Sequence, residues 1–239
     1  LKESDLTVIV PLYNYDRYIV EALDSVAAQT LEEIDLIVVN DASTDRSLEK
    51  AERWIRANVD RFNRVLLLSN VQNAGLGPTR NVAIDAAETA FVLPLDADNR
   101  LLPTACETLL AEIRKDQAAF VYPILRKFGA SDGIMNNKPY APELLVGGNA
   151  IDAMAIIRKD CWAAVGGYAS LDPQGWEDFD FWCLFAEKGM WGRQHPEILA
   201  EYRVHGASML KVHTDLADNK RNLLELMKRR HPWLSHVQS

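Results

Sequence analysis

The sequence predicts an α/β protein with a mostly parallel central sheet and helices on both of its faces. Three observations carry this. Short continuous apolar runs recur at residues 7–10, 36–39, 65–68 and 91–93; stretches of helical periodicity separate them; and each run stops at a polar or turn-forming segment. Runs that are apolar throughout suit strands buried on both faces, which parallel sheets require. Alternation of such runs with helical patterns favours a parallel sheet.

The elements follow in order. The first strand, 7–10, is expected to stop at Pro11, and Tyr18, Ile19, Ala22, Leu23 and Val26 then fall on one helical face. The second strand, 36–39, ends at Asn40-Asp41. Thr44 is the expected N-cap of the next helix, whose apolar stripe is Leu48, Ala51 and Ile55. The third strand, 65–68, leads into Asn73-Ala74-Gly75-Leu76-Gly77-Pro78, with Pro78 suited to a first helical turn. The fourth, 91–93, runs into Asp96-Ala97-Asp98. Residues 123–150 show no clean period and read as loop-rich with some short strands. A helix over about 176–188 would bury Phe179, Trp182, Cys183 and Ala186 and stop before Gly189. A strand over 198–204 and a closing helix over 215–229 complete the expectation. No linker composition appears, so 1–239 reads as one domain: a nucleotide-binding half (1–100), a catalytic and acceptor-side half (101–214) and a C-terminal helix (215–239).

The formal net charge of −8 argues against nucleic acid or an anionic membrane surface as partner. A phosphate-bearing ligand would then need a metal or local Arg and Lys. Cys106, Cys161 and Cys183 lie apart in apolar stretches and read as buried free thiols of a reducing compartment. No run approaches the ~18 apolar residues of a membrane span, and no secretory leader is visible. The expected location is cytoplasmic, or peripheral at the inner face of the membrane. A start at Leu1 fits a piece of a longer protein.

Three polar segments, Pro11-Leu12-Tyr13-Asn14, Asn40-Asp41-Ala42-Ser43 and Asp96-Ala97-Asp98, each follow a strand. Carboxyl ends of parallel strands form the ligand crevice of an open sheet, so the three should meet at one edge. Asp96 and Asp98 offer hard oxygen ligands suited to Mg²⁺ or Mn²⁺, which bridges and neutralises diphosphates; a solvated acidic turn is the alternative. The glycine loop before Pro78-Thr79-Arg80 feeds a helix N-terminus open to anions. Arg80 in that turn would reach a phosphate or a base, or else be an ordinary surface arginine. Glu177 and Asp178 would start a helix, either as dipole-compensating charges or with one acting as a general base raised by apolar neighbours. His205, at a strand end, is a surface imidazole or a second metal ligand, which would favour Mn²⁺.

Taken together, these residues resemble the inverting family 2 glycosyltransferases of GT-A fold over roughly residues 5–210. The resemblance rests on Val8-Ile9-Val10-Pro11-Leu12-Tyr13-Asn14, the segments 38–45 and 73–81, Leu95-Asp96-Ala97-Asp98-Asn99, Gly166-Gly167-Tyr168, Glu177-Asp178 and the segment 203–208. It implies sugar transfer from a nucleoside-diphosphate donor, a UDP-sugar, to a hydroxyl of a glycan, lipid-linked or other acceptor. By resemblance Pro11 and Tyr13 flank the base, Asp41 hydrogen-bonds it, and Asn73, Gly75 and Arg80 lie near base and phosphates. Asp96 and Ala97 meet ribose or sugar, the Val146-Gly147-Gly148-Asn149 segment is the acceptor-side region with Asn149 near the donor sugar, Asp98 and His205 bind the metal, and Asp178 is the catalytic base. Asn40 stands where the family more usually has Asp. Three rival readings fit less well. A phosphatase with an Asp-x-Asp nucleophile would need a small hydroxyl residue where Asn99-Arg100 stands. A nucleotidyltransferase would need a basic glycine loop after the first strand. A module that only binds a nucleotide-sugar would not need Asp178.

Overall fold

The computed structural model describes residues 4–206, 208 and 216–235. The strands are β1 (Leu6–Leu12), β2 (Asp35–Asn40), β3 (Arg64–Ser69), β4 (Phe91–Pro94), β5 (Arg100–Leu101), β6 (Phe120–Gly129), β7 (Gly133–Met135), β8 (Ile156–Arg158) and β9 (Gly192–Val204). The helices are α1 (Ile19–Ala27), α2 (Ser47–Asn58), α3 (Leu76–Ala86), α4 (Ala105–Ile113), α5 (Lys159–Val165), α6 (Glu177–Glu187) and α7 (Ala217–Arg230). The strands form one sheet in the order β3-β2-β1-β4-β8-β6-β9-β5, with β7 paired to β6. β3, β2, β1 and β4 are parallel to one another. The other half is mixed: β8 runs antiparallel to β4 and β6, while β6 and β9 are parallel.

Alternation along each buried strand sends side chains into two cores. Val8 and Val10 of β1 pack with Leu36 and Val38 against α1, α2 and α4, whereas Ile9, Ile37 and Val39 pack against α3 and α6 on the opposite face. All seven residues of β1 are buried, so the continuous apolar run and the two-sided burial are the same fact.

Several expectations change in detail. β1 does not stop at Pro11 but runs on to Leu12, with Pro11 paired in register to Val39. The β1–β4 ladder ends at Ile9, so Pro11 lies beyond the reach of one neighbour and its missing N–H is tolerated. Thr44 is not the N-cap of α2. The helix starts at Ser47, whose N–H is accepted by Asp45, while Asn14 Oδ1 takes the Thr44 N–H at 2.8 Å. The buried face of α2 is Ser47, Ala51 and Trp54, with Leu48 and Ile55 half-buried. Residues 120–129, in the region read as loop-rich, form a ten-residue strand. Pro123 disguises it, and the ladder to β9 shifts register on either side of Ile124, where Pro196, Glu197 and Leu199 of β9 are the unpaired residues. β9 starts at Gly192, earlier than expected. α6 is buried nearly all round, with Phe181 and Phe185 as enclosed as Trp182 and Cys183. Cys106 and Cys183 are buried free thiols and Cys161 is half-buried. Of the closing helix, residue 215 and residues 236–239 lie outside the described residues, as does Ala207. No described helix is long and apolar enough to cross a membrane.

Candidate functional site

The carboxyl ends of β1, β2 and β4 converge with α3 and α6 around a cavity of about 780 Å³, and every site residue expected from the sequence lines it. The convergence follows from the parallel sheet, which places all strand-to-helix loops of that half on one edge.

The first two loops are tied to each other. Asn14, at φ 56°, accepts the backbone N–H groups of Thr44 and Asp45 at 2.8 and 3.3 Å, and its own N–H donates to Ser43 Oγ at 3.1 Å. Pro11 and Tyr13 thereby sit on a braced wall, Tyr13 exposed. Asp41 is 3% exposed and held inward. Its carboxylate accepts the Asn70 side-chain amide at 2.7 Å and the N–H groups of Ala74 and Gly75 at 2.8 and 2.9 Å. Asp41 therefore shapes the glycine loop, and three of its lone-pair positions are occupied by the protein itself. Asn73 reaches back to the Asp41 carbonyl at 3.3 Å. Gly75 has φ 90°, open to glycine without strain, and Gly77 lies where a Cβ would meet the Ala169 carbonyl at 2.6 Å. That close approach lets α3 carry Asn81 against the Gly166-Gly167-Tyr168 turn, where it accepts from Tyr168 N–H and Trp162 Nε1 and donates to the Tyr168 carbonyl.

Arg80 is neither a surface arginine nor a free phosphate hook. It is 1% exposed, and its guanidinium pairs with Asp96 at 2.7 Å and with Glu177 at 3.0 Å. Its charge lies 5.4 Å from the centre of the Tyr168 ring. The arginine links the fourth-strand turn to the start of α6. Glu177 and Asp178 thus differ in their partners. Burial pushes the Glu177 carboxyl up, against the pull of Arg80, and the side chain is held in that pair. Asp178 is half-buried and faces the cavity, with its Oδ2 accepting from the Asn149 amide at 2.8 Å. Burial raises the Asp178 carboxyl as well, with Arg80 and Asn149 opposing the shift.

Asp98 is 7% exposed, and its Oδ2 lies 2.9 Å from His205 Nε2. Burial raises its carboxyl; the His205 contact opposes this and the neighbouring Asp96 adds to it. β9 is fastened to the same turn, since Arg203 donates to the Asp98 carbonyl at 2.8 Å and its N–H to Asn99 Oδ1 at 2.8 Å. His205 rests on Tyr18 with ring centroids 4.9 Å apart. Among the described residues, no three or more His, Cys, Asp or Glu side chains form a ready-made metal site.

Sequence reading missed Asp152 in this wall. Its carboxyl is pushed up by burial and by Asp96 and Asp178, and its backbone N–H is held by Asn136 Oδ1 at 3.0 Å. The segment around it has no clean period, and Asp152 falls three residues past the motif that ends at Asn149. Lys220, from the closing helix, also lines the cavity.

Residues 7–162 match glycosyl transferase family 2. The chain is 33% identical over 134 residues to "Glycosyltransferase GlyA" of Streptococcus pneumoniae, covering 56% of this chain and 18% of that protein. It spans 18 to 41% of the length of the first curated relatives it matches. S. aureus TarS in complex with UDP-GlcNAc superimposes with TM-score 0.78 at 20% identity, over 95% of this chain and 66% of that one. The mannosyltransferase PcManGT from Pyrobaculum calidifontis, in complex with GDP-Man and Mn²⁺, gives 0.69 at 20% identity, over 86% and 59%. The fold is thus the GT-A glycosyltransferase fold, and with more than half its length matched, the chain belongs to glycosyl transferase family 2.

Proposed function

We propose that this chain transfers a sugar from a nucleoside-diphosphate donor, a UDP-sugar, to an acceptor hydroxyl with inversion at the anomeric carbon. The observation that supports this most is the placement of Asp178. A cavity-facing carboxylate, oriented by Asn149, stands in one enclosed space with the Asp96–Asp98 turn and with the braced loops of β1 and β2.

Asp178 takes the proton of the acceptor hydroxyl as that oxygen attacks the anomeric carbon. The bond from the anomeric carbon to the diphosphate oxygen breaks on the opposite face, and its electron pair leaves with the nucleoside diphosphate. An elevated carboxyl pKa makes Asp178 a stronger base than an ordinary carboxylate. Asn149 fixes the direction of its lone pairs, and Arg80 locks Asp96 and Glu177 so that base and donor walls keep their spacing.

The donor set fits a divalent cation. Asp98 and His205 present an oxygen and a nitrogen 2.9 Å apart, and the Asp98 carboxyl carries a desolvation penalty that a cation would relieve. Asp98 and His205 would be the residues that hold it. Mn²⁺ or Mg²⁺ held there would neutralise charge on the departing diphosphate. TarS was solved with UDP-GlcNAc and PcManGT with GDP-Man and Mn²⁺, which supports a nucleotide-sugar here; the uracil preference rests on the resemblance. Calorimetry with UDP and GDP in Mn²⁺, followed by donor turnover in wild type and Asp178→Asn, tests the reading. Binding of neither nucleotide would remove it.

A further inference from the structure

The cavity must receive a polyanion, yet its lining holds seven carboxylates against three permanent cations, Arg17, Arg80 and Lys220. The buried guanidinium of Arg80 is engaged by Asp96 and Glu177. Asp16 is met by Lys50 at 3.3 Å, and Asp41 by backbone and side-chain N–H groups. Arg17 and Lys220 remain, both exposed at the mouth, and neither is engaged by a carboxylate among the described residues.

They come from opposite ends of the chain. Arg17 lies in the loop between β1 and α1. Lys220 sits in the first turn of α7, one turn before the buried Leu223. The position of α7 is set at its far end. There the fully buried Asp180 of α6 receives Arg230 and His231, the latter at 2.9 Å. His231 also meets Glu187 at 2.7 Å, and Trp233 donates to Glu187 at 2.9 Å. Asp180 is two residues from Asp178, so α7 is fastened to the very helix that carries the proposed base. A rise of ~1.5 Å per residue carries the chain roughly 16 Å from His231 back to Lys220, and there the helix meets the cavity. The amino-terminal end of a helix is also its positive end.

We propose that α7 is part of the donor site, delivering Lys220 opposite Arg17 as the pair of cations that hold the donor diphosphate. This rests on the nucleoside-diphosphate reading above. An ammonium or guanidinium on a phosphate oxygen makes a charge-assisted hydrogen bond, and loss of one lowers affinity about tenfold or more.

The test is calorimetric titration of the full chain with UDP, GDP and UMP, in Mn²⁺ and in EDTA, at two salt concentrations. Lys220→Glu and Arg17→Glu are expected to weaken diphosphate binding about tenfold or more and to leave UMP within about twofold. The salt dependence of diphosphate binding should become shallower in each. His231→Ala, far from the cavity, should weaken diphosphate binding in the same selective manner if α7 must be docked to present Lys220. Lys220→Gln, which keeps the stem, reports on charge alone should the reversal disturb folding. Wild-type diphosphate affinity and salt slope in Lys220→Glu and Lys220→Gln would overturn the proposal while leaving the donor reading standing. Failure of the wild type to bind UDP or GDP would overturn both.

Discussion

Replacing Arg80 with Met separates a structural strut from a phosphate ligand. Met retains much of the apolar stem and removes the charge. Glu177, 6% exposed, then loses its only ion-pair partner among the described residues, as does Asp96. Breaking a buried pair by removing one partner leaves an uncompensated charge at a cost of ~3–5 kcal/mol. A domain of this size loses roughly 2–4 °C of melting temperature per kcal/mol, so the expected fall is on the order of 6–20 °C. The effect carries a pH signature. Burial already holds the Glu177 carboxyl above its ordinary value of 4.5. For a raised carboxyl, stability is present below the unfolded pKa and lost as pH rises through the folded one. Without Arg80 that raised value climbs above the wild-type value of about 7, so the gap between Arg80→Met and wild type should be small near pH 5, open above pH 7 and widen into alkaline pH. Urea melts at pH 5 and pH 9, followed by circular dichroism, measure it. A stability change below about 1 kcal/mol, independent of pH and accompanied by a large loss of nucleotide affinity, would refute the strut and return Arg80 to the phosphates.

Other outcomes follow from the same geometry. Asp178→Asn should keep fold and donor affinity while lowering turnover roughly 10²–10⁴-fold, whereas Glu177→Gln should chiefly alter stability; a dead Glu177→Gln beside an active Asp178→Asn would reverse the roles. Turnover should fall as pH is lowered through a value above the ordinary 3.8 of an aspartate, because burial raises Asp178 and only its ionised form accepts the proton; an acid limb at or below that value would contradict this. Asp98→Ala should abolish the Mn²⁺ dependence of donor binding, and equal Mn²⁺-assisted affinity in calorimetry would dismiss Asp98 as ligand. Burial opposes the His231 imidazolium, but its bonds to Asp180 and Glu187 win and lift it above 6.5. Its stabilisation is therefore complete below pH ~6.5 and lost as pH rises through the folded value; the stability gap between wild type and His231→Asn should shrink in that direction, and a gap constant from pH 6 to 9 would count against the anchor.

The amino-terminal half was legible because its physics is local in sequence. A strand buried on both faces must be apolar at nearly every position, and the runs 8–10, 36–39 and 91–93 obey that rule, so their ends, and with them Asp41, Asp96 and Asp98, fall on one edge by sequence alone. Where the rule loosens, reading fails: β6 contains Pro123 and is exposed toward its end, and its partner in the sheet is β9, about seventy residues away. The residues of the site were legible by type and position, but their pairings were not. Arg80 meets Glu177 across 97 residues, Asn81 meets Tyr168 across 87, and His231 meets Asp180 across 51. Whether an arginine is free or neutralised, and whether Glu177 or Asp178 is taken up in an ion pair, depends on what the folded chain brings within about 3 Å. Periodicity carries information about faces of single elements; charge partners, burial and hence proton affinity belong to the packing between them, and only the tertiary structure decides those.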